Sequence, residues 1–419
     1  MTLLSLQSLF GLAAFTAIAW GLSEDRRAFS WRLAGVAIAL QITLAFVLVK
    51  LPPVAEALMG LNSVVDALMG ATREGTSFVF GYLGGGPAPF EVTRPSNGLI
   101  LAFQALPLVL VMSALSALLW HWRVLMWVTK GLSFLLRRSL GLSGSVGLAT
   151  AGNLFVSMVE APLLIRPYLA TMSRSDLFAV MTVGLSTVSG TVLVLYASIV
   201  EPVVPGALGQ ILTASLISLP AAIMMAKIMV PEAANAQAEE GEPVLGDLGY
   251  HSAIDAITRG TTDGLQLLLN IIAMLVVIVA LVALANLLLG LLPPVGAEAL
   301  SLQRLLGWLF APLVWLMGVP VEEAQLAGQL MGTKTILNEF IAYLDFAALG
   351  PDALSPRSDR IMLYALCGFA NLGSVGIMIG GLATMAPARR DDIVAMVMRA
   401  LVGGTLATSM TGAVIGLIY

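Results

Sequence analysis

Two glutamates, Glu160 and Glu339, stand in stretches that are otherwise almost wholly apolar. A carboxylate at bilayer depth costs about 3 kcal/mol or more unless it is paired, hydrogen-bonded or wetted, so it marks a place where something polar is handled. Such a group accepts hydrogen bonds from substrate hydroxyls or coordinates a cation. The plain alternative is an ion pair, with Arg166 as partner of Glu160 and Lys334 as partner of Glu339. Lys334 serves equally well as a side chain that snorkels to an interface. Asn371 and Ser374 are three apart and share a face wherever the backbone is helical. They read a substrate, or they join helices by hydrogen bonds. Asn153, Thr187 and Ser189 offer neutral oxygens. With the carbonyls of an unwound helix these suit a dehydrated sodium ion; helix capping accounts for them as well.

The elements that must position these groups follow from composition. The chain has 419 residues, 58% apolar and 11% charged, with a mean hydropathy of +0.93. Soluble domains carry about 25% charge. Ordinary soluble enzymes and disordered chains are both excluded. The net charge of −4, without a basic block, gives nucleic acid no footprint. One cysteine, Cys367, and two distant histidines, His121 and His251, exclude an intrachain disulfide and argue against a Cys- or His-based metal cluster. There is no HExxH, GxSxG or P-loop, so neither hydrolysis nor nucleotide-driven transport is expected. The N-terminus lacks a basic start, and its apolar run to Leu22 reads as a retained span.

A helix needs about 20 apolar residues to span a bilayer. Eight stretches qualify: 3–22, 31–51, 97–120, 177–200, 206–230, 264–292, 360–386 and 391–418. Two more, 141–172 and 321–348, are apolar but carry the polar residues above, and read as re-entrant helical hairpins. Residues 301–318 read as an interfacial helix, and 52–96 as an amphipathic piece followed by loop. The fold class expected is an all-α polytopic membrane protein with eight transmembrane helices and two re-entrant hairpins in inverted repeats. Residues 1–96 hold the N-terminal spans and an interfacial segment; 97–230 form the first repeat, 231–262 a polar linker and 263–419 the second repeat. In each repeat the span after the hairpin is interrupted by small polar residues, LSTVSGT in the first and FANLGSVG in the second. Gly373, Gly376, Gly380 and Gly381 fit a broken helix there, or close packing. Inverted repeats with paired broken helices point to a transporter site at the midplane. With both termini outside, twelve basic residues fall inside and six outside, the orientation favoured by the positive-inside rule.

These motifs resemble the concentrative nucleoside transporter family. The resemblance rests on AGNLFVSMVEAPLLIRPYL at 151–169, TVGLSTVSGTVL at 182–193, GTKTILNEFIAY at 332–343 and YALCGFANLGSVGIMIGGLATM at 364–385. FQALPLVLVMSAL at 103–115 is similar to the family's third span, and the likeness covers roughly 97–419. It implies cation-coupled nucleoside import across the plasma membrane, the bacterial inner membrane, by a homotrimer. In each protomer a transport domain moves against a trimerisation scaffold. By that likeness Glu339, Asn371 and Ser374 meet the ribose, Phe369 packs near the base, and Glu160 lies at the base end. Sodium is held by the Asn153 and Thr187 side chains and the Val156 and Val188 carbonyls; protons are the alternative. One departure stands out. The family's Gly-Gln-Thr/Ser-Glu hairpin tip is here Ser157-Met158-Val159-Glu160, so Met158 and Val159 replace the polar side chains at the base edge. Broad base acceptance, a modified nucleoside, or another small polar metabolite is what that change implies. A nucleoside-binding channel or sensor and an intramembrane hydrolase are the readings from other classes.

Overall fold

The computed structural model describes residues 3–91, 98, 100–232, 248–295, 299–350 and 352–419. Among them there is helix and irregular chain but no β-strand element. Helix α1 (Leu3–Gly21) packs on the helix Arg390–Ile418 and α2 (Trp31–Lys50) on the helix Ala207–Met229, with Ser30 capping α2 through the Leu33 amide. Helix α3 (Pro52–Phe80) follows, opened by two prolines and ended at Gly81, whose φ of +59° suits glycine. Short α4 (Leu101–Gln104) bends into α5 (Leu108–His121), and α6 (Val124–Leu140) carries Arg137 and Arg138 in its last turn.

The first hairpin stretch is α7 (Gly144–Gly152), a turn through Asn153–Val159, and the single turn α8 (Glu160–Leu163). The span after it is interrupted as the small polar residues imply: α9 (Arg174–Ser186) and α10 (Gly190–Val200) are parted by extended Thr187 and Ser189. Helix α11 (Ala207–Met229) ends the stretch expected to be the first repeat. The second repeat runs α12 (Ala253–Leu289), α13 (Leu302–Met317), α14 (Val321–Ile336), α15 (Glu339–Ala348), α16 (Pro356–Leu366), α17 (Leu372–Met385) and α18 (Arg390–Ile418). Helices α13 and α14 meet at 116°. The break between α16 and α17 starts at Cys367, before the FANLGSVG stretch.

One expectation needs correction. The polar linker ends earlier than 262, because α12 already begins at Ala253: Ser252 accepts from the Asp255 amide, and Asp255 pairs with Arg259 at 3.0 Å one turn on. Residues 233–247 of that linker lie outside the described residues. The amphipathic piece expected at the start of 52–96 is helix α3, 29 residues long. It is one of eight helices with the length and apolar character of a span. Its ends argue otherwise. Leu58 lies against Gly209 at the start of α11, while Leu83, just past its C-terminus, accepts from Gln104 at 3.1 Å at the start of α5. Both α5 and α11 start at the same end of the bundle in this topology, so α3 adds no crossing; the broken pair α16–α17 supplies the eighth.

The core is centred on α9, α11 and α18, which are buried on nearly every face. Glycines on α18 let backbones approach: a Cβ at Gly404 would meet Leu185 at 3.0 Å, and one at Gly416 would meet the Met317 carbonyl at 2.4 Å. Small residues at helix contacts are the usual device where lipid removes the hydrophobic drive between helices.

Charged groups gather at the two ends. At one, Glu24 pairs with Arg174 (3.1 Å) and Arg399, Asp392 with Arg389 (2.8 Å), and Lys227 with Asp176 (2.5 Å). At the other, Lys50 and Arg360 each sit 4.2 Å from the Tyr419 ring, and Arg357 binds Ser8 and the Gly416 carbonyl.

Candidate functional site

Glu339 is the first residue of α15 and is 4% exposed. Its position there has a local cause. Asn338 caps the helix by accepting from the Ile341 amide at 2.8 Å, which turns the chain sharply after Leu337 and aims the next side chain inward. One carboxylate oxygen accepts from the Tyr196 hydroxyl at 2.6 Å and the other from Asn371 Nδ2 at 2.7 Å. Asn371 in turn caps α17, accepting from the Ser374 amide at 2.7 Å. One asparagine thus holds the helix break and the carboxylate together, and it brings Ser374 alongside.

Tyr196 was not singled out by the sequence. It lies on α10, with its ring 5.3 Å from Tyr343 and 6.1 Å from Phe340. The signal available was its spacing of seven from Ser189, two helical turns along one face. Through it α10, after the first break, reaches α15.

The two breaks also touch directly. The Phe369 amide donates to the Thr187 carbonyl at 3.3 Å. Gly368 makes the approach possible: its φ is +154°, and a Cβ would lie 2.8 Å from the Ser186 carbonyl. Asn153, at the end of α7, reaches the same break, with Nδ2 donating to Thr187 Oγ1 and, at 3.4 Å, to the Val183 carbonyl. Ser189, which the sequence offered as another neutral oxygen, is taken up by Thr191 at 2.8 Å.

Asn153 and Thr187 bring together the kind of neutral polar groups that a small hard monovalent ion takes. Asn153, Thr187, Val156 and Val188 are all buried, and the groups they supply are neutral oxygens and amides. The Asn153 amide, turned over, presents its oxygen where its nitrogen now lies. Among the described residues no three His, Cys, Asp or Glu side chains come together, which leaves no site of the kind a transition metal takes.

The carboxylate of Glu160 has a local partner. Its Oε2 accepts from the Ser157 amide at 2.8 Å while Ser157 Oγ accepts from the Glu160 amide at 3.3 Å, a reciprocal capping box that shapes the hairpin tip. It also lines a cavity of about 30 Å³ with Ser113, Ser116, Thr191, Tyr250 and Asp263. Burial, with the Glu160 charge second, pushes the Tyr250 phenol up to about 12, so it remains a donor at neutral pH. Met158 and Val159 face helices: Met158 packs against Gly184 on α9, and a Cβ at Gly381 on α17 would come 2.6 Å from Val159.

Neither suspected ion pair forms among the described residues. Arg166 is exposed and makes none with Glu160, whose hydrogen bond goes to its own turn. Lys334 donates to the Ala365 carbonyl and Thr408, not to Glu339.

Comparison with known proteins reaches the same region. The family model described as Na+ dependent nucleoside transporter C-terminus matches residues 210–416, its N-terminal counterpart 10–83, and a nucleoside recognition model 102–203. The nucleoside permease NupC of Helicobacter pylori is 35% identical over 99% of this chain and 97% of its own. The sodium/nucleoside cotransporter 1 of Mus musculus is 32% identical over 99% of this chain and 64% of its own. CNTnw solved in an inward-facing substrate-bound state superposes with a TM-score of 0.90 at 36% identity, covering 99% of each chain. An outward-facing CNTnw variant gives 0.89 at 35%, covering 99% of this chain and 98% of that one.

Proposed function

The chain belongs to the concentrative nucleoside transporter family, and from that premise we propose that it imports nucleosides by alternating access, driven by sodium. The observation that carries the reading is the buried Glu339 carboxylate, gripped by Tyr196 and Asn371 at the junction of two helix breaks. A carboxylate held with its acceptor capacity only partly used is suited to the vicinal hydroxyls of a ribose, each of which needs an acceptor. Asn371 and Ser374 then meet the same sugar, and Phe369 offers a ring face to the base.

At the base end the tip carries Met158 and Val159, with Glu160 as the one ionisable group. Without side-chain donors and acceptors at the base edge, purines and pyrimidines are separated mainly by shape, so acceptance is broad. Asn153 and Thr187, with the Val156 and Val188 carbonyls, hold the sodium ion, whose binding would stiffen the first break and, through Phe369, the second. The protein works as a homotrimer in the bacterial inner membrane, with both termini outside. Solved relatives in inward- and outward-facing states support the alternating cycle.

The test is uptake of labelled uridine and adenosine into proteoliposomes under a sodium gradient and, separately, a proton gradient. Uphill uptake of both with sodium, lost in Glu339→Gln, is expected. Uptake driven by protons alone keeps the transport reading and removes sodium. No uptake of any nucleoside by folded protein would mean that Met158 and Val159 have changed the substrate class.

A further inference from the structure

Lys334 is wholly buried, one of the largest side chains in the protein with no exposed surface. Its ammonium donates to the Ala365 carbonyl at 2.7 Å and to Thr408 Oγ1 at 2.8 Å. Among the described residues it pairs with no carboxylate within 4.0 Å. A buried cation without an anion beside it is costly, and the transport reading gives it no task.

Its partners identify one. Ala365 is in the last turn of α16, just before the break. Carbonyls in that turn lack intrahelical donors and carry the negative end of the helix dipole. Thr408 passes its own proton to the Thr405 carbonyl at 3.1 Å and so is an acceptor toward Lys334. The first repeat has the same construction with different chemistry. There Asn153, at the end of the hairpin's first arm, reaches the Val183 carbonyl in the last turn of α9. Lys334, near the end of the second hairpin's first arm, reaches the equivalent end of α16. One break is met by a neutral amide beside oxygens that suit a mobile ion. Its counterpart is met by a charge fixed to the chain.

We infer that Lys334 is a tethered cation, occupying in the second repeat the place that a bound ion takes in the first. It holds the end of α16 so that Phe369 and Asn371, a few residues on, stand in register with Glu339. Lys334 is therefore a positioning residue for nucleoside binding. The inference rests on the transport reading for its consequence and on geometry alone for the site.

The experiment removes the tether and returns the charge in solution. Lys334→Ala leaves a space shaped for propylammonium. Nucleoside uptake by Lys334→Ala should fall about tenfold or more, the equivalent of 1.4 kcal/mol. Millimolar propylammonium should restore most of it and leave the parent unchanged. Parent-like uptake in Lys334→Ala, or in the isosteric Lys334→Met, overturns the inference. So does a folded Lys334→Ala that propylammonium neither revives nor stabilises. Should Lys334→Ala not fold, Lys334→Gln decides: a raised nucleoside KM with unchanged sodium half-saturation supports the inference, and the parent KM overturns it. The melting temperature is read in parallel. A rise with propylammonium in Lys334→Ala and none in the parent registers the site even in a protein that moves no nucleoside. Failure of transport in the parent and failure of this inference are thereby told apart.

Discussion

At the scale of single residues, the site is held by hydrogen bonds to a charge. Such bonds are worth about 1.5–3 kcal/mol each, more than neutral ones. Tyr196→Phe removes one of the two donors to Glu339 with almost no change in volume. Nucleoside KM should rise about tenfold, with sodium half-saturation much less affected, as read by uptake kinetics. A parent-like KM would mean the tyrosine only fills space. The tip substitutions are reversible in principle: Met158→Gln with Val159→Thr should narrow base acceptance, seen as an unequal loss across a panel of competing nucleosides. Legibility in the sequence tracks how unusual each residue is for its setting. Glu339 and Asn371 stand out because polar groups are rare in apolar runs. Tyr196 does not, since tyrosine is at home in spans, and only a neighbour five helices further along the chain gives it a role. Lys334 was visible but ambiguous; its two acceptors come from α16 and α18, which nothing in its own stretch reveals.

At the scale of elements, the breaks govern. Small polar runs marked where α9 ends and where α17 begins, and the caps Asn338 and Asn371 explain why α15 and α17 restart where they do. Gly368 is where sequence reasoning stops short, because the need for glycine comes from the approach of Ser186 on another helix. Gly368→Ala puts a Cβ 2.8 Å from that carbonyl on a backbone with φ +154°. It should destabilise the fold by about 1–3 kcal/mol and depress uptake more than Gly376→Ala, which meets open space. Thermal unfolding in detergent and uptake compare the two. The start of α12 was missed because composition outweighed the Ser252–Asp255 cap signal. The amphipathic piece read at the start of 52–96 is α3, delimited by two prolines and a glycine stop.

At the scale of the molecule, two charged ends and an apolar middle define the frame. The end holding Glu24, Arg174, Lys227, Arg389 and Asp392 collects segments that charge counting assigns to the inside. Cysteines placed at Arg26 and Tyr419 test this, since native Cys367 is buried and silent. Tyr419→Cys should label from outside in intact cells, and Arg26→Cys only after permeabilisation; the reverse pattern would invert the protein. The same end also responds to acid. Partial burial pushes the Glu232 carboxyl up, but hydrogen bonds from Lys227 and Ser173 outweigh it and hold the group below its ordinary value. A group held low in the folded state stabilises at neutral pH and loses that stabilisation as pH falls through the lowered value. Glu232→Gln should therefore flatten the acid limb of the melting curve by a small amount, given that the side chain is 41% exposed. For the proposed sodium coupling, one ion gives an adequate driving force: about 2.3 kcal/mol per 100 mV plus about 1.4 kcal/mol for a tenfold gradient would sustain roughly a 500-fold accumulation.

The bond from the Phe369 amide to the Thr187 carbonyl is made by main chain on both sides. Substitution of either side chain leaves both atoms in place. On the proposed reading of the two sites, the link between ion and cargo is thus protected from most mutations, while the tip beside the base is open to them. Specificity in such a carrier can drift without producing an ion leak, and by reciprocity whatever factor sodium adds to nucleoside affinity, the nucleoside must return to sodium.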